Sequence, residues 1–271
     1  MTEIIDGKGL AKKIRENLKK DVDELKKEGI KPKFAVILVG DDPASKIYVR
    51  NKNKACNEIG IEYEEHLLPE NTTMEELLAL IDELNNDKSI NGVLLQSPLP
   101  KHLDINEAFK KIDYRKDVDG FNPINVGKLA LGQDCFVSCT PYGIVKIIEE
   151  YNIPTEGKKA VIIGRSNIVG KPLIQCHSKT KEIDKITKDA DLIVTAMGKP
   201  KFLKADMVKE GATVIDVGIN RMENGKITGD VDFEEVSKKT SYITPVPGGV
   251  GPMTIAMLMN NIVKAAKNQS K

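Results

Sequence analysis

Hydrophobic and polar positions along the chain alternate between two periods. Residues 10–27 carry apolar side chains three or four apart (Leu10, Ile14, Leu18, Val22, Leu25), which predicts an amphipathic helix. "KFAVILVG" follows as a near-continuous apolar run ended by Gly40, the pattern of a strand buried on both faces. A helix over the segment holding Tyr48 and Lys52 comes next. "IEYEEHLL" then reads as a strand, "TMEELLALIDELNND" as a helix opened by a threonine cap, "INGVLLQSPLP" as a strand entering a proline-rich loop, and "DINEAFKKI" as a short helix. "TPYGIVKIIEEYNI" predicts a connecting helix, and "KKAVIIGRSNIVGKP" a strand running into a glycine-punctuated turn. A second alternation runs through "ADLIVTAMG" and "GATVIDVG", and "SYITPVPGGVGP" leads to a last helix, Met253 to Ala266. Strands alternating with helices predict mostly parallel sheets, hence an α/β protein of two domains meeting near residue 140.

The composition narrows the function classes. Forty-one basic against forty acidic residues leave a net charge of +1, so no global field draws the chain to nucleic acid or an anionic membrane. Any anion site must be local. Cys56, Cys135, Cys139 and Cys176 lack the density of a disulfide framework, and with His66, His102 and His177 they form no metal-ligand pattern. Reduced thiols and a cytosolic protein are expected, with no bound metal. The opening "MTEIIDGKGLAKKIRENLKK" has no apolar core of a signal peptide, and no apolar run reaches membrane-spanning length.

Lys52 poses a local question. At about 100° per residue, Ser45, Tyr48, Lys52, Ala55, Cys56 and Ile59 fall on one helical stripe, with the lysine in the middle of an apolar face. Such an ammonium is paired, reaches water along its stem, or sits in a cleft that lowers its pKa and makes it a proton-transfer group. "VIIGRSNIVGKP" poses another: backbone amides after a buried strand suit a phosphate, but the spacing is neither G-x-G-x-x-G nor that of a triphosphate loop. A tight strand-to-helix turn without a ligand is the other reading. Tyr48 and Lys52 also satisfy Y-x-x-x-K, yet lie far upstream of that turn, unlike the dehydrogenases that carry the pair after it.

Seven segments, "DDPASKIYVRNKNKACNEIGI", "GVLLQSPLP", "KDVDGFNPINVGKL", "CTPYGIV", "VIIGRSNIVGKPL", "VIDVGINR" and "TPVPGGVGPMT", stand in this order. Together they resemble the bifunctional methylenetetrahydrofolate dehydrogenase/cyclohydrolases of the bacterial FolD type, over essentially the whole chain. The resemblance implies a catalytic, folate-binding domain of residues 1–140 with 253–271, and a Rossmann-like NADP-binding domain of residues 141–252. It implies that Lys52 is the catalytic lysine, that Tyr48 packs on the folate's aromatic ring, and that Gln96 orients the lysine. Ser45 would support that site, and Asp119 would grip the pterin through paired hydrogen bonds. Pro247, Gly248 and Gly249 would bring backbone close to folate and nicotinamide. Gly164, Arg165 and Ser166 match the phosphate-binding turn, Ser178 adds a hydroxyl, and Ile219 matches a residue beside the nicotinamide. No acidic residue is placed to take a ribose 2′-hydroxyl, which favours NADP over NAD. On residue chemistry alone, Ser45 equally suits a helix-start cap, Gln96 a satisfied edge amide, Asp119 a turn former, and Pro247–Pro252 a tight interdomain turn. Cys139 reads as an inert buried thiol near the catalytic pair.

One departure matters. Between "GRSNIVGKPL" and "CHSKT" the family has a helix and a strand, whereas here only Ile174 and Gln175 remain. A parallel crossover needs on the order of a dozen residues, so the first βαβ unit is expected to be shortened, its helix a single turn or its second strand absent. The expected activity is oxidation of 5,10-methylenetetrahydrofolate with NADP⁺ and hydrolysis of the methenyl product to 10-formyltetrahydrofolate, in one-carbon metabolism. The alternatives are a cyclohydrolase whose dehydrogenase is impaired by the shortened crossover, and a non-catalytic folate-binding protein, against which Lys52, Tyr48 and Gln96 all stand. Expected partners are tetrahydrofolate derivatives and a second copy of the chain, with neither nucleic acid nor membrane.

Overall fold

The computed structural model describes residues 1–164, 166, 169–170 and 183–270. It divides into two compact units, one of Lys13–Cys139 with Ile255–Lys271, the other of Met1–Lys12 with Thr140–Thr254. In chain order the first elements are β1 (Glu3–Ile4), α1 (Gly7–Lys27), β2 (Lys33–Val39), α2 (Pro43–Ile59), β3 (Glu62–Leu68), α3 (Met74–Asn86), β4 (Gly92–Leu95), α4 (Ile105–Lys111), α5 (Pro123–Ala130) and α6 (Cys139–Glu150). They continue with β5 (Ala160–Ile163), α7 (Ile183–Thr187), β6 (Leu192–Thr195), β7 (Thr213–Asp216), β8 (Asn220–Arg221), β9 (Ile227–Thr228), α8 (Phe233–Val236), β10 (Tyr242–Ile243) and α9 (Val250–Gln269).

In the unit of Lys13–Cys139 and Ile255–Lys271, β2 lies between β3 and β4 and pairs with both in parallel. Its residues Phe34 to Val39 are all buried, as the uninterrupted apolar run requires. Ala35, Ile37 and Val39 of β2 and Val93 and Leu95 of β4 form one core with Leu77, Ile81 and Leu84 of α3. The start of α3 is fixed locally. Thr73 Oγ1 accepts the Glu76 amide at 3.2 Å, and Glu76 Oε2 accepts the Thr73 amide at 2.8 Å, a reciprocal capping box. Thr73→Ala is expected to lower unfolding free energy by about 1 kcal/mol, read as a lower urea midpoint at unchanged slope; an unchanged midpoint would show that the box contributes nothing.

In the other unit five parallel strands stand in the order β1-β10-β7-β6-β5. Val161 and Ile163, Ile193, Val214 and Ile243 pack with Leu203, Val208, Val231 and Val236 beneath them. β8 and β9 form a separate antiparallel hairpin.

Several boundaries differ from the sequence expectation. Met1–Lys12 group with Thr140–Thr254 because β1 pairs with β10, a two-residue strand too short and too exposed to leave a pattern. The last helix begins at Val250 instead of Met253: Pro252 falls in its first turn, where no amide is needed. α5 was not expected, although Asn122 caps it through the Ile124 amide at 2.8 Å and Pro123 opens it. The expected shortening of the first crossover falls on residues 171–182, which lie outside the described residues, as do Arg165 and Ser178. No helix among the described residues is long and apolar enough to cross a membrane.

Candidate functional site

Asp42 caps α2, its carboxylate accepting the Ser45 amide at 2.7 Å, and Pro43 supplies the first helical residue. This sets the register of the stripe read from sequence. Ser45, Val49, Cys56 and Ile59 are buried, and Lys52 sits half-buried among them. Of the three fates open to Lys52, the structure shows it paired: Nζ donates to Gln96 Oε1 at 2.8 Å. Burial pulls its pKa below the ordinary lysine range, and the nearby Asp119 carboxylate opposes that pull.

Gln96 directly follows β4, and its amide donates to Ile37 O at 2.9 Å, so the ladder with β2 delivers the side chain to the carboxyl edge of the sheet. Gln96 Nε2 donates to Ser97 O at 2.6 Å, which leaves Oε1 facing the lysine. Ser45 Oγ lies 3.5 Å from the same carbonyl, at the limit of a hydrogen bond. Ser45 and Gln96 thus meet at one backbone oxygen, and Gln96 links it to Lys52. Tyr48 stands one turn before Lys52 on the same helical face and is 40% exposed, an aromatic surface open to a ligand.

Asp119 acts on the lysine through its charge, from a different segment. Val93 of β4 donates to Lys116 O at 2.8 Å, so residues 116–117 extend the sheet beside β4 and carry "DVDG" to the same edge as Gln96. Burial raises the Asp119 carboxyl, while the Lys52 ammonium and the Cys139 thiol hold it down. Burial and the neighbouring Asp119 carboxylate drive the Cys139 thiol far up.

Two residues that the sequence reading passed over complete the support. Asp117 accepts the Asn122 amide and Asn125 Nδ2, both at 2.8 Å, and its carboxyl is nonetheless pushed up to about 6 by burial. Asn261 of α9 donates through Nδ2 to Val118 O at 2.9 Å and Val137 O at 3.0 Å, clamping the two stretches that flank Asp119 and Cys139. The Asp-x-Asp spacing was a readable signal for Asp117; Asn261 gave none.

In the other unit, Gly164 directly follows β5, and a Cβ there would stand 2.7 Å from Ala196 O, so only glycine lets the loops after β5 and β6 approach this closely. Ser166 Oγ accepts the Val169 amide at 3.1 Å, tightening the turn. Ile219 follows β7 and is 49% exposed. Pro247, Gly248 and Gly249 form the turn before α9. Gly248 has φ +110°, and a Cβ on Gly249 would stand 2.7 Å from Pro245 O. A glycine at the carboxyl edge of a parallel sheet, approached this closely by the next loop, fits a dinucleotide phosphate.

Comparison with known proteins joins these observations. The catalytic-domain model of tetrahydrofolate dehydrogenase/cyclohydrolase matches residues 5–119, and the NAD(P)-binding-domain model of the same family matches residues 138–270. The bifunctional protein FolD of Campylobacter concisus is 59% identical, covering 98% of each chain. That alignment spans 276 positions, more than the 271 residues of this chain, so the relative carries residues with no counterpart here. The crystal structure of FolD from Campylobacter jejuni, a methylenetetrahydrofolate dehydrogenase/cyclohydrolase, superposes with a TM-score of 0.98 at 55% identity, covering 99% of both chains. The Trypanosoma brucei enzyme, solved with NADP cofactor and an inhibitor, gives 0.95 at 33% identity, covering 100% of this chain and 99% of that one. With both domain models matched in order and identity above half along the full length, the chain belongs to the tetrahydrofolate dehydrogenase/cyclohydrolase family.

Proposed function

We propose that the Lys52 cleft is the catalytic site of a bifunctional, NADP-dependent methylenetetrahydrofolate dehydrogenase and methenyltetrahydrofolate cyclohydrolase. The observation that carries this reading is the 2.8 Å hydrogen bond from Lys52 Nζ to Gln96 inside an apolar stripe, beside Asp119. A lysine held partly neutral is a base near neutral pH. As water adds to the methenyl carbon, a C–O bond forms and Lys52 takes one water proton. Lys52 then returns that proton to N5 as the C–N5 bond breaks, while the hydroxyl proton leaves to solvent and 10-formyltetrahydrofolate remains. Gln96 keeps the amine aimed, Tyr48 offers its ring to the substrate's aromatic part, and Ser45 backs the helix start. Asp119 accepts hydrogen bonds from the pterin.

NADP, when bound, supplies the hydride acceptor for the methylene carbon. Gly164, Arg165, Ser166 and Ser178 would hold its phosphates, Ile219 would lie beside the nicotinamide, and Pro247, Gly248 and Gly249 would bring backbone to both ligands. The chain's part in hydride transfer is placement of the two reactants and exclusion of water. We further place the enzyme in the cytoplasm as a homodimer without nucleic-acid partners. The balanced charge, +1 overall, supports the last point.

The test mixes the purified protein with methylenetetrahydrofolate and NADP⁺, follows NADPH and the methenyl compound by absorbance, and assays methenyl hydrolysis separately. Formation of NADPH together with methenyl hydrolysis is expected. Hydrolysis without NADPH would leave a cyclohydrolase alone, and neither activity would overturn the proposal.

A further inference from the structure

A second cluster of buried charge lies in the unit of Met1–Lys12 and Thr140–Thr254, at the carboxyl ends of β6 and β7. Asp216 ends β7, Asp230 lies two residues past β9, and both are buried. Asp230 Oδ2 accepts the amides of Met197 at 2.6 Å and Gly198 at 3.1 Å. Its Oδ1 accepts the Lys199 amide at 2.8 Å and Asn220 Nδ2 at 2.9 Å. Three consecutive amides converging on one carboxylate form the concavity that backbone offers to a bound anion, and here the chain supplies its own anion. Asp216 accepts the Thr195 hydroxyl at 3.1 Å and the amides of Gly218, Asp230 and Val231 at 2.9 to 3.0 Å, while its own amide donates to Thr244 Oγ1 at 2.7 Å. The ends of β6 and β7 and the residue after β10 are tied to one another through this pair.

The loop held by Asp230 begins at Ala196, whose carbonyl closes on Gly164. Asn220, its other partner, adjoins Ile219. One buried carboxylate therefore connects the turn proposed for the phosphates with the residue proposed for the nicotinamide. An apolar side chain there would leave these four donors without an acceptor, so the carboxylate satisfies them as well as holding them in place. What the carboxylate adds is direction for four donors.

We infer that Asp230 is a positioning residue of the dehydrogenase reaction, fixing the backbone of residues 196–199 and the Ile219–Asn220 segment so that the nicotinamide meets the methylene carbon in a reactive pose. This rests on the cofactor placement proposed above. Asp230→Asn is the incisive substitution. Whichever way the new amide turns, its NH₂ faces two donors, either Met197 and Gly198 or Lys199 and Asn220. The size is unchanged and two of the four bonds are lost.

The expected result is a dehydrogenase kcat lower by on the order of tenfold to a hundredfold, since small misplacements of reacting atoms cost that much, with a smaller change in KM for NADP⁺. The primary isotope effect with deuterated methylene substrate should rise as hydride transfer becomes slower than product release. Methenyl hydrolysis by the same preparation serves as the folding control and should stay within about twofold. Adding Asn220→Asp restores an acceptor for the new amide and should recover part of the loss. Unchanged dehydrogenase kcat in Asp230→Asn, beside an active wild type, overturns the inference. Equal loss of both activities without rescue overturns it too, in favour of a structural role. A wild type that forms no NADPH while hydrolysing methenyl substrate instead defeats the cofactor reading on which the inference stands.

Discussion

Lys52→Met removes methenyl hydrolysis, lowering kcat by on the order of 10²–10⁴-fold, the range by which a positioned general base accelerates proton transfer. Methionine keeps the length of the lysine stem and suits the apolar stripe of Val49, Cys56 and Ile59. The folded state loses the lysine's hydrogen bond to Gln96, which leaves a buried amide oxygen unpaired, a cost of about 1–3 kcal/mol. It also sheds a buried ammonium, an opposing gain. The net change in stability is therefore small beside the change in rate. Binding of tetrahydrofolate, followed by calorimetry, should persist, because the contacts proposed for the folate belong to Asp119 and Tyr48. Hydrolysis at the wild-type rate would remove Lys52 from the mechanism.

Asp119→Asn acts on the same proton from the other side. In the wild type, burial lowers the Lys52 pKa and the Asp119 carboxylate, by favouring the ammonium, limits the fall. Hydrolysis needs the neutral amine, so kcat rises with pH through the lysine's lowered pKa. Neutralising position 119 removes the opposing charge, and Lys52 then gives up its proton at a still lower pH. The rising limb of the kcat profile moves to lower pH, measured at saturating substrate. KM for the folate rises in parallel, by roughly tenfold or more, since a hydrogen bond to a charged group contributes about 1.5–3 kcal/mol. A limb that stays in place or moves to higher pH would show that Asp119 does not act on Lys52.

Elements with a dense local signal were legible before the structure. The apolar run of β2 ended at Gly40 as read, and the Thr73 cap stands where "TTMEE" placed it. Lys52 was visible as an anomaly because an ammonium broke an apolar stripe, but its partner Gln96, 44 residues away, came only through resemblance to a family. Periodicity reports one element at a time, and a bond between a helix and the end of a strand leaves no periodic trace. Asn261 is the extreme case: its carbonyl partner Val118 lies 143 residues earlier, and nothing around an asparagine inside "MLMNNIV" distinguishes it from a solvated one. Asp216 did carry a mark. A carboxylate closing the buried run "TVID" is costly unless satisfied, and its four donors meet that cost.

The oxygen that collects Gln96 Nε2 and faces Ser45 Oγ belongs to the main chain of Ser97, whose own hydroxyl is buried without a partner among the described residues. Every amino acid carries that carbonyl. A survey that exchanges side chains one by one would leave that carbonyl in place at every position 97 variant and would pass over the atom to which the Gln96 amide is moored. Only a change to the backbone itself, such as replacing the peptide by an ester or moving the neighbouring Pro98, addresses it.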